Sequence, residues 1–184
     1  MPNQLIATTP RLIVRTLNID DAPFYLELVN DPSFIHNIRD KGIRTIEQAQ
    51  HAIEKDHIAI QETLGFCLYC VCLRDAKEGL TATSESSSTA IGLCGFVKRP
   101  ELEHIDLGYA FLPRFHGQGY AYEAITHILD YGKRQLHIEH LCAITSQHNL
   151  ASENLLKKVG FQFQHVLELR AHDFVNYFLY QDKK

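Results

Sequence analysis

Tyr109-Ala-Phe-Leu-Pro-Arg114-Phe-His-Gly117-Gln-Gly119-Tyr-Ala-Tyr-Glu-Ala124 is the stretch on which the fold turns. It reads as a strand, a tight loop with two glycines one residue apart, and the opening of a helix. Glycines let backbone amides approach an anion without a Cβ in the way. A helix N-terminus adds unpaired N–H groups and the positive end of the macrodipole. Arg114 supplies a charge-assisted donor. Chemistry alone therefore describes a phosphate-binding loop, and a plain tight turn fits the bare Gly-x-Gly equally well. Gly119 is followed by Tyr120, not Lys-Ser/Thr, which excludes a P-loop. Tyr122 stands where a dinucleotide fingerprint needs its third glycine, and no acidic residue ends the next strand.

Working outward, the helix after the loop carries Ala121, Ala124, Ile125, Ile128, Leu129, Gly132 and Leu136 at helical spacing. Leu141 to Thr145 predicts a short buried strand. Ser152 to Val159 predicts a helix stopped by Gly160, with Ser152 in the place of an N-cap. Phe161 to Leu169 and Phe174 to Gln181 predict a closing hairpin. Upstream, Arg11 to Leu17 reads as a strand, followed by a helix capped by Asp20 or Asp21 and ended by Asp31-Pro32. Thr45 and Gln48 form a capping box for a helix to about Gln61. Leu64 to Arg74 is a strand, 75–90 a polar flexible loop, and Ile91 to Lys98 and Ile105 to Leu112 a long hairpin. The order β-α-α-β-β-β-α-β-α-β-β is an α/β arrangement with a mixed sheet.

The chain has 184 residues, 45% apolar and 22% charged, one domain's worth, so residues 1–184 are read as a single domain with a real core. A net charge of -4 argues against a general nucleic-acid binder. The longest uncharged apolar run, Leu64 to Leu73, has ten residues, about half of what a bilayer span needs. The opening residues lack a signal pattern, so a cytoplasmic chain is expected. Five cysteines, three of them (Cys67, Cys70, Cys72) in one apolar run, read as reduced buried thiols. Strand alternation points Cys67 away from the other two, and no second CxxC or His-rich partner follows, so no metal is expected. His137-x-x-His140 lacks the glutamate of a zinc-protease motif.

Arg114-x-x-Gly117-x-Gly119-Tyr-Ala, preceded by Asp106-Leu-Gly-Tyr109, resembles the acetyl-CoA pyrophosphate loop of the GNAT N-acetyltransferase superfamily. Asn149-x-x-Ser152-x-x-Leu-Leu-Lys-Lys-Val-Gly160-Phe161 resembles that superfamily's next helix. Thr9-Pro-Arg-Leu-Ile-Val-Arg15 and Asn30-Asp31-Pro32 are similar to its ribosomal-protein N-terminal acetyltransferase (Rim-type) branch. The resemblance runs over about residues 9 to 181. It implies a mostly antiparallel central sheet flanked by helices, with two splayed central strands and acetyl-CoA as co-substrate.

Carried onto this chain, the resemblance gives backbone groups of Phe111 and Leu112 to the pantetheine arm. It gives the amides of Phe115, His116, Gly117, Gln118, Gly119, Tyr120 and Ala121 to the pyrophosphate, and the side chain of Asn149 to the arm. Lys157 and Lys158 are within the helix that could reach the 3′-phosphate, and a solvated helix face describes them as well. Many members place a proton-donating tyrosine seven residues after the asparagine; here that position is Leu156. The Rim-type branch instead uses a serine at the position of Ser152. Asp106 and Glu168 are the two candidate bases. A peptide α-amino group is about a tenth neutral at pH 7, a lysine less than about one part in a thousand, so an N-terminal acceptor needs the weaker base. The expected function is transfer of acetyl from acetyl-CoA to a primary amine, foremost a protein N-terminus. A small amine acceptor, or a CoA-binding sensor that has lost its chemistry, are the alternatives; a monomer or a homodimer suits either.

Overall fold

The computed structural model describes residues 4–74 and 88–182. Most of the expected flexible loop 75–90 lies outside the described residues. An eight-stranded sheet runs in the order β1-β2-β3-β4-β5-β6-β8-β7. Its strands are β1 (Leu5–Thr8), β2 (Leu12–Arg15), β3 (Leu68–Leu73), β4 (Ala90–Val97), β5 (Ile105–Phe111), β6 (Leu141–Ser146), β7 (Phe161–Arg170) and β8 (Asp173–Tyr180). All neighbours pair antiparallel except β5 and β6. These two run parallel and share only Ile105↔Leu141 and Asp106↔Cys142 before they separate.

The separation exposes one edge of β5. Leu112 N–H donates to Ile91 O at 3.0 Å. By antiparallel alternation, Asp106, Gly108, Ala110 and Leu112 turn their backbone groups to β4, while Tyr109 and Phe111 turn theirs into the gap.

Helices cover both faces. One layer holds α1 (Ala22–Asn30), α2 (Pro32–Asn37), α3 (Ile46–Ile53) and α4 (Ala59–Leu64); the other holds α5 (Tyr120–Arg134) and α6 (Leu150–Val159). Strand alternation divides the core between them. Ile13, Cys70, Cys72 and Leu93 pack with Tyr25, Leu28 and Ile53 on the first face. Leu12, Val14, Cys67, Tyr69 and Phe96 pack with Ile125, Ile128 and Leu156 on the second. Cys67 thus faces away from Cys70 and Cys72, as the alternation predicts.

Several local expectations need correction. The chain enters α1 through a 3-10 turn, Ile19–Asp21, capped by Asn18, whose side chain accepts from Asp20 N–H. Asp21 stands at the N-cap position of α1 but makes no side-chain cap bond there. Asp21 instead holds the buried Arg15 guanidinium in a bidentate pair at 2.7 Å. Asp31 does end α1 but at once caps α2, accepting from Ser33 N–H. The capping box of Thr45 and Gln48 opens α3 as expected, but a π-helical stretch, Glu54–Ile58, separates it from α4. The segment expected to begin a strand at Leu64 ends α4 there, turns at Gly65 (φ 78°) and starts β3 only at Leu68. β1 had no counterpart in the sequence reading.

Candidate active site

The glycine loop closes β5 onto α5. Pro113–Phe115 forms a 3-10 turn, and Gly117 and Gly119 take φ of 71° and 81°, a region a side chain disfavours. Gly119 is the N-cap of α5 and makes no side-chain cap. Phe115 N–H donates to Leu112 O and His116 N–H to Pro113 O, so these two expected phosphate ligands are already used inside the turn. Glu123 N–H begins the helical ladder on Gly119 O. The N–H groups of Gly119 through Tyr122 are the first amides of α5 and lack intrahelical partners, and those of Gly117 and Gln118 stand in the loop just before them.

Arg11 braces this loop from the β1–β2 turn. Its Nε meets Glu123 Oε2 at 2.6 Å, its Nη1 donates to Gln118 O at 2.9 Å, and the guanidinium lies 4.6 Å over the Tyr120 ring. Glu123 also accepts from Thr9 Oγ1 at 2.5 Å and Arg11 N–H at 3.0 Å. These hydrogen bonds lower the Glu123 pKa and outweigh the opposing effect of partial burial. Arg114, expected at the phosphate, instead forks onto Glu27 of α1, with Nη2 to Oε2 at 3.1 Å, and its guanidinium lies over Phe115.

Leu112 cannot pair with a pantetheine arm as expected: its N–H is taken by β4 and its C=O by Phe115. Phe111 stays on the gap. Its carbonyl accepts from His116 Nε2 at 2.7 Å, which fixes His116 as the Nε2–H form. The Phe111 N–H and the backbone of Tyr109 are the groups that the gap presents.

Across the gap, Asn149 caps α6 by accepting from Ser152 N–H at 3.0 Å. The cap is therefore Asn149, not Ser152. Ser152 is the third residue of α6, within its first turn, and its Oγ lies 2.6 Å from the Tyr109 hydroxyl. Leu156, in the position of the common tyrosine, is fully buried in the core. Lys157 is paired with Glu153 at 2.6 Å, and Lys158 lies 4.4 Å over the Tyr122 ring.

The two candidate bases are separated. Asp106, 1% exposed at the last position of β5 that pairs with β6, holds Arg99 Nε at 2.6 Å. Burial raises its pKa and the Arg99 charge opposes that. Glu168 is exposed near the turn of the β7–β8 hairpin, two strands from the gap, and accepts from His172 N–H at 2.9 Å. Tyr109 and Arg11 are what sequence reasoning missed. Both lay inside quoted motifs, but nothing in their spacing revealed partners 43 and 107 positions away.

A GNAT acetyltransferase domain model matches residues 11–162. The chain belongs to the GNAT acetyltransferase family. It is 28% identical over 163 residues to the uncharacterized N-acetyltransferase YoaA of Bacillus subtilis (strain 168), covering 88% of this chain and 85% of YoaA. An acetyltransferase structure from Agrobacterium tumefaciens str. C58 superposes with a TM-score of 0.75 at 20% identity, covering 99% of this chain and 95% of that one. A Salmonella typhimurium acetyltransferase that modifies the N-terminal serine of ribosomal protein L7/L12 superposes at 0.76 with 16% identity, covering 97% and 100%.

This GNAT chain is an acetyl-CoA-dependent N-acetyltransferase. Its β5 and β6 separate after two paired positions, with the glycine loop following β5 and α6 following β6, as the family resemblance implies. Among the described residues no cluster of three or more His, Cys, Asp or Glu is placed to hold a metal, and no helix is long and apolar enough to cross a membrane.

Proposed function

We propose that the acceptor is the α-amino group of a protein or peptide. The observation that carries this reading is that both expected bases are engaged: Asp106 in a buried pair with Arg99, Glu168 in the hairpin turn. A site without a free strong base suits an amine that is already about a tenth neutral at pH 7, and not a lysine or polyamine. The likeness to an enzyme that modifies the N-terminal serine of a ribosomal protein supports the same choice.

In this reading, amides of Gly117 through Tyr122 hold the diphosphate, with Lys157 and Lys158 near the 3′-phosphate. Phe111 N–H, the Tyr109 backbone and the Asn149 side-chain amide hold the arm. The amine nitrogen attacks the thioester carbon, and a gap-facing N–H of β5 receives the oxyanion, an interaction worth about 10²-fold in comparable sites. The C–S bond then breaks. The former amine nitrogen sheds one proton, Ser152 passes its hydroxyl proton to the sulfur, and the proton shed by nitrogen restores the serine hydroxyl, so the products are the amide and the free thiol of coenzyme A. The five free, buried cysteines suit a reducing compartment such as the cytoplasm.

Acetylation of a peptide panel differing at the first residue, beside Nα-blocked lysine peptides and spermidine, tests the acceptor. Free N-termini are expected to give kcat/KM at least about tenfold above either amine class. Faster spermidine or lysine turnover contradicts the reading, and CoA binding without turnover on any amine favours a sensor.

A further inference from the structure

We propose that Tyr109 is a positioning residue that aims the Ser152 hydroxyl at the departing thiolate; this rests on the role given to Ser152 above. Asp106 is the last residue of β5 in register with β6, and Tyr109 follows three positions later on the unpaired edge. Its hydroxyl meets Ser152 in the first turn of α6, so the contact joins β5 to the helix that follows β6, the two sides of the gap. Leu156 leaves the helix without a phenol there, and the phenol beside Ser152 comes from the strand.

The hydroxyl pair has two proton arrangements. In one, Tyr109 donates to Ser152 Oγ at 2.6 Å and the Ser152 proton points into the gap. In the other, Ser152 donates to Tyr109, and Tyr109 donates to Ser152 O at 3.3 Å, a longer and weaker bond. Negative charge developing on sulfur selects the first. Burial raises the Tyr109 pKa, only partly offset by the Ser152 bond, so the phenol keeps its proton and remains a donor. Tyr109 itself loses no proton in the reaction; it fixes which way the serine proton faces.

The test follows the thiol of bound coenzyme A by its thiolate ultraviolet absorption across a pH titration, which needs no acceptor. In the wild-type complex the thiol is expected to titrate about one pH unit lower than in Tyr109→Phe, a tenfold difference in thiolate fraction. Ser152→Ala and the double variant are expected to match Tyr109→Phe, because the two hydroxyls act as one unit. With a serine-leading peptide, kcat is expected to fall about ten- to a hundredfold while KM for acetyl-CoA stays put. A strut would behave otherwise: Tyr109→Phe would lower the melting temperature or CoA affinity and leave the thiol titration unmoved, which overturns the proposal. Wild-type protein that binds no coenzyme A overturns the site reading itself, before any variant is compared.

Discussion

His57 is 3% exposed on the π-helical stretch between α3 and α4, its ring edge-on to Tyr25 at 5.3 Å and its Nε2 3.4 Å from the Tyr25 hydroxyl. Lys41 Nζ donates to the same hydroxyl at 2.7 Å. Burial first, and the Lys41 charge second, depress the His57 pKa to about 3. Unfolded, the imidazole titrates near 6.5. Between these values the unfolded chain binds a proton that the folded one refuses, so stability present above pH 6.5 is lost as pH falls toward 3. The loss is up to about 1.4 kcal/mol per pH unit from this one group. Urea unfolding at pH 7 and pH 5 is expected to show a fall in wild type that His57→Phe lacks in large part. Equal pH dependence in both proteins would contradict the burial account. Nothing in the sequence marked His57, because eleven scattered histidines look alike until a fold buries one.

At the scale of elements, the glycine loop works because the turn Thr9 to Arg11 braces it. A peptide plane carries its C=O and the following N–H on opposite sides. Arg11 anchors the Gln118 carbonyl, so the Gly119 N–H is held pointing the other way. Arg11→Ala is expected to raise the Kd for coenzyme A about tenfold with at most a small fall in melting temperature, since the Arg11 side chain is half exposed and the largely buried Glu123 keeps its bonds from Thr9 and the Arg11 N–H. Unchanged affinity would show that the loop holds its shape alone. The loop was legible in sequence because φ near +71° and +81° demands glycine locally. Its brace was not, because a contact between residues 11 and 118 exists only after β2 and α5 have packed.

For the whole molecule, periodicity placed the main helices and nearly every strand, and the splayed pair came from the family resemblance. β1 escaped because four residues with one partner strand carry little alternation of their own. The long helix to Gln61 was interrupted because apolar spacing does not distinguish α from π hydrogen bonding. Of the site, the glycine turn was readable from the motif, but the backbone bonds that engage Leu112, Phe115 and His116 elsewhere were not. Arg114, Asp106 and Glu168 stand where the loop and the resemblance put charged groups, and that same charge ties them to Glu27, Arg99 and the hairpin turn.

Calorimetric titration of the wild-type protein with coenzyme A and, separately, with pantetheine addresses the central claim, that loop amides grip the diphosphate. Coenzyme A is expected to bind one to a chain, and pantetheine, which has no phosphate, at least about tenfold more weakly. Equal affinity for the two, or no heat with coenzyme A, would contradict it.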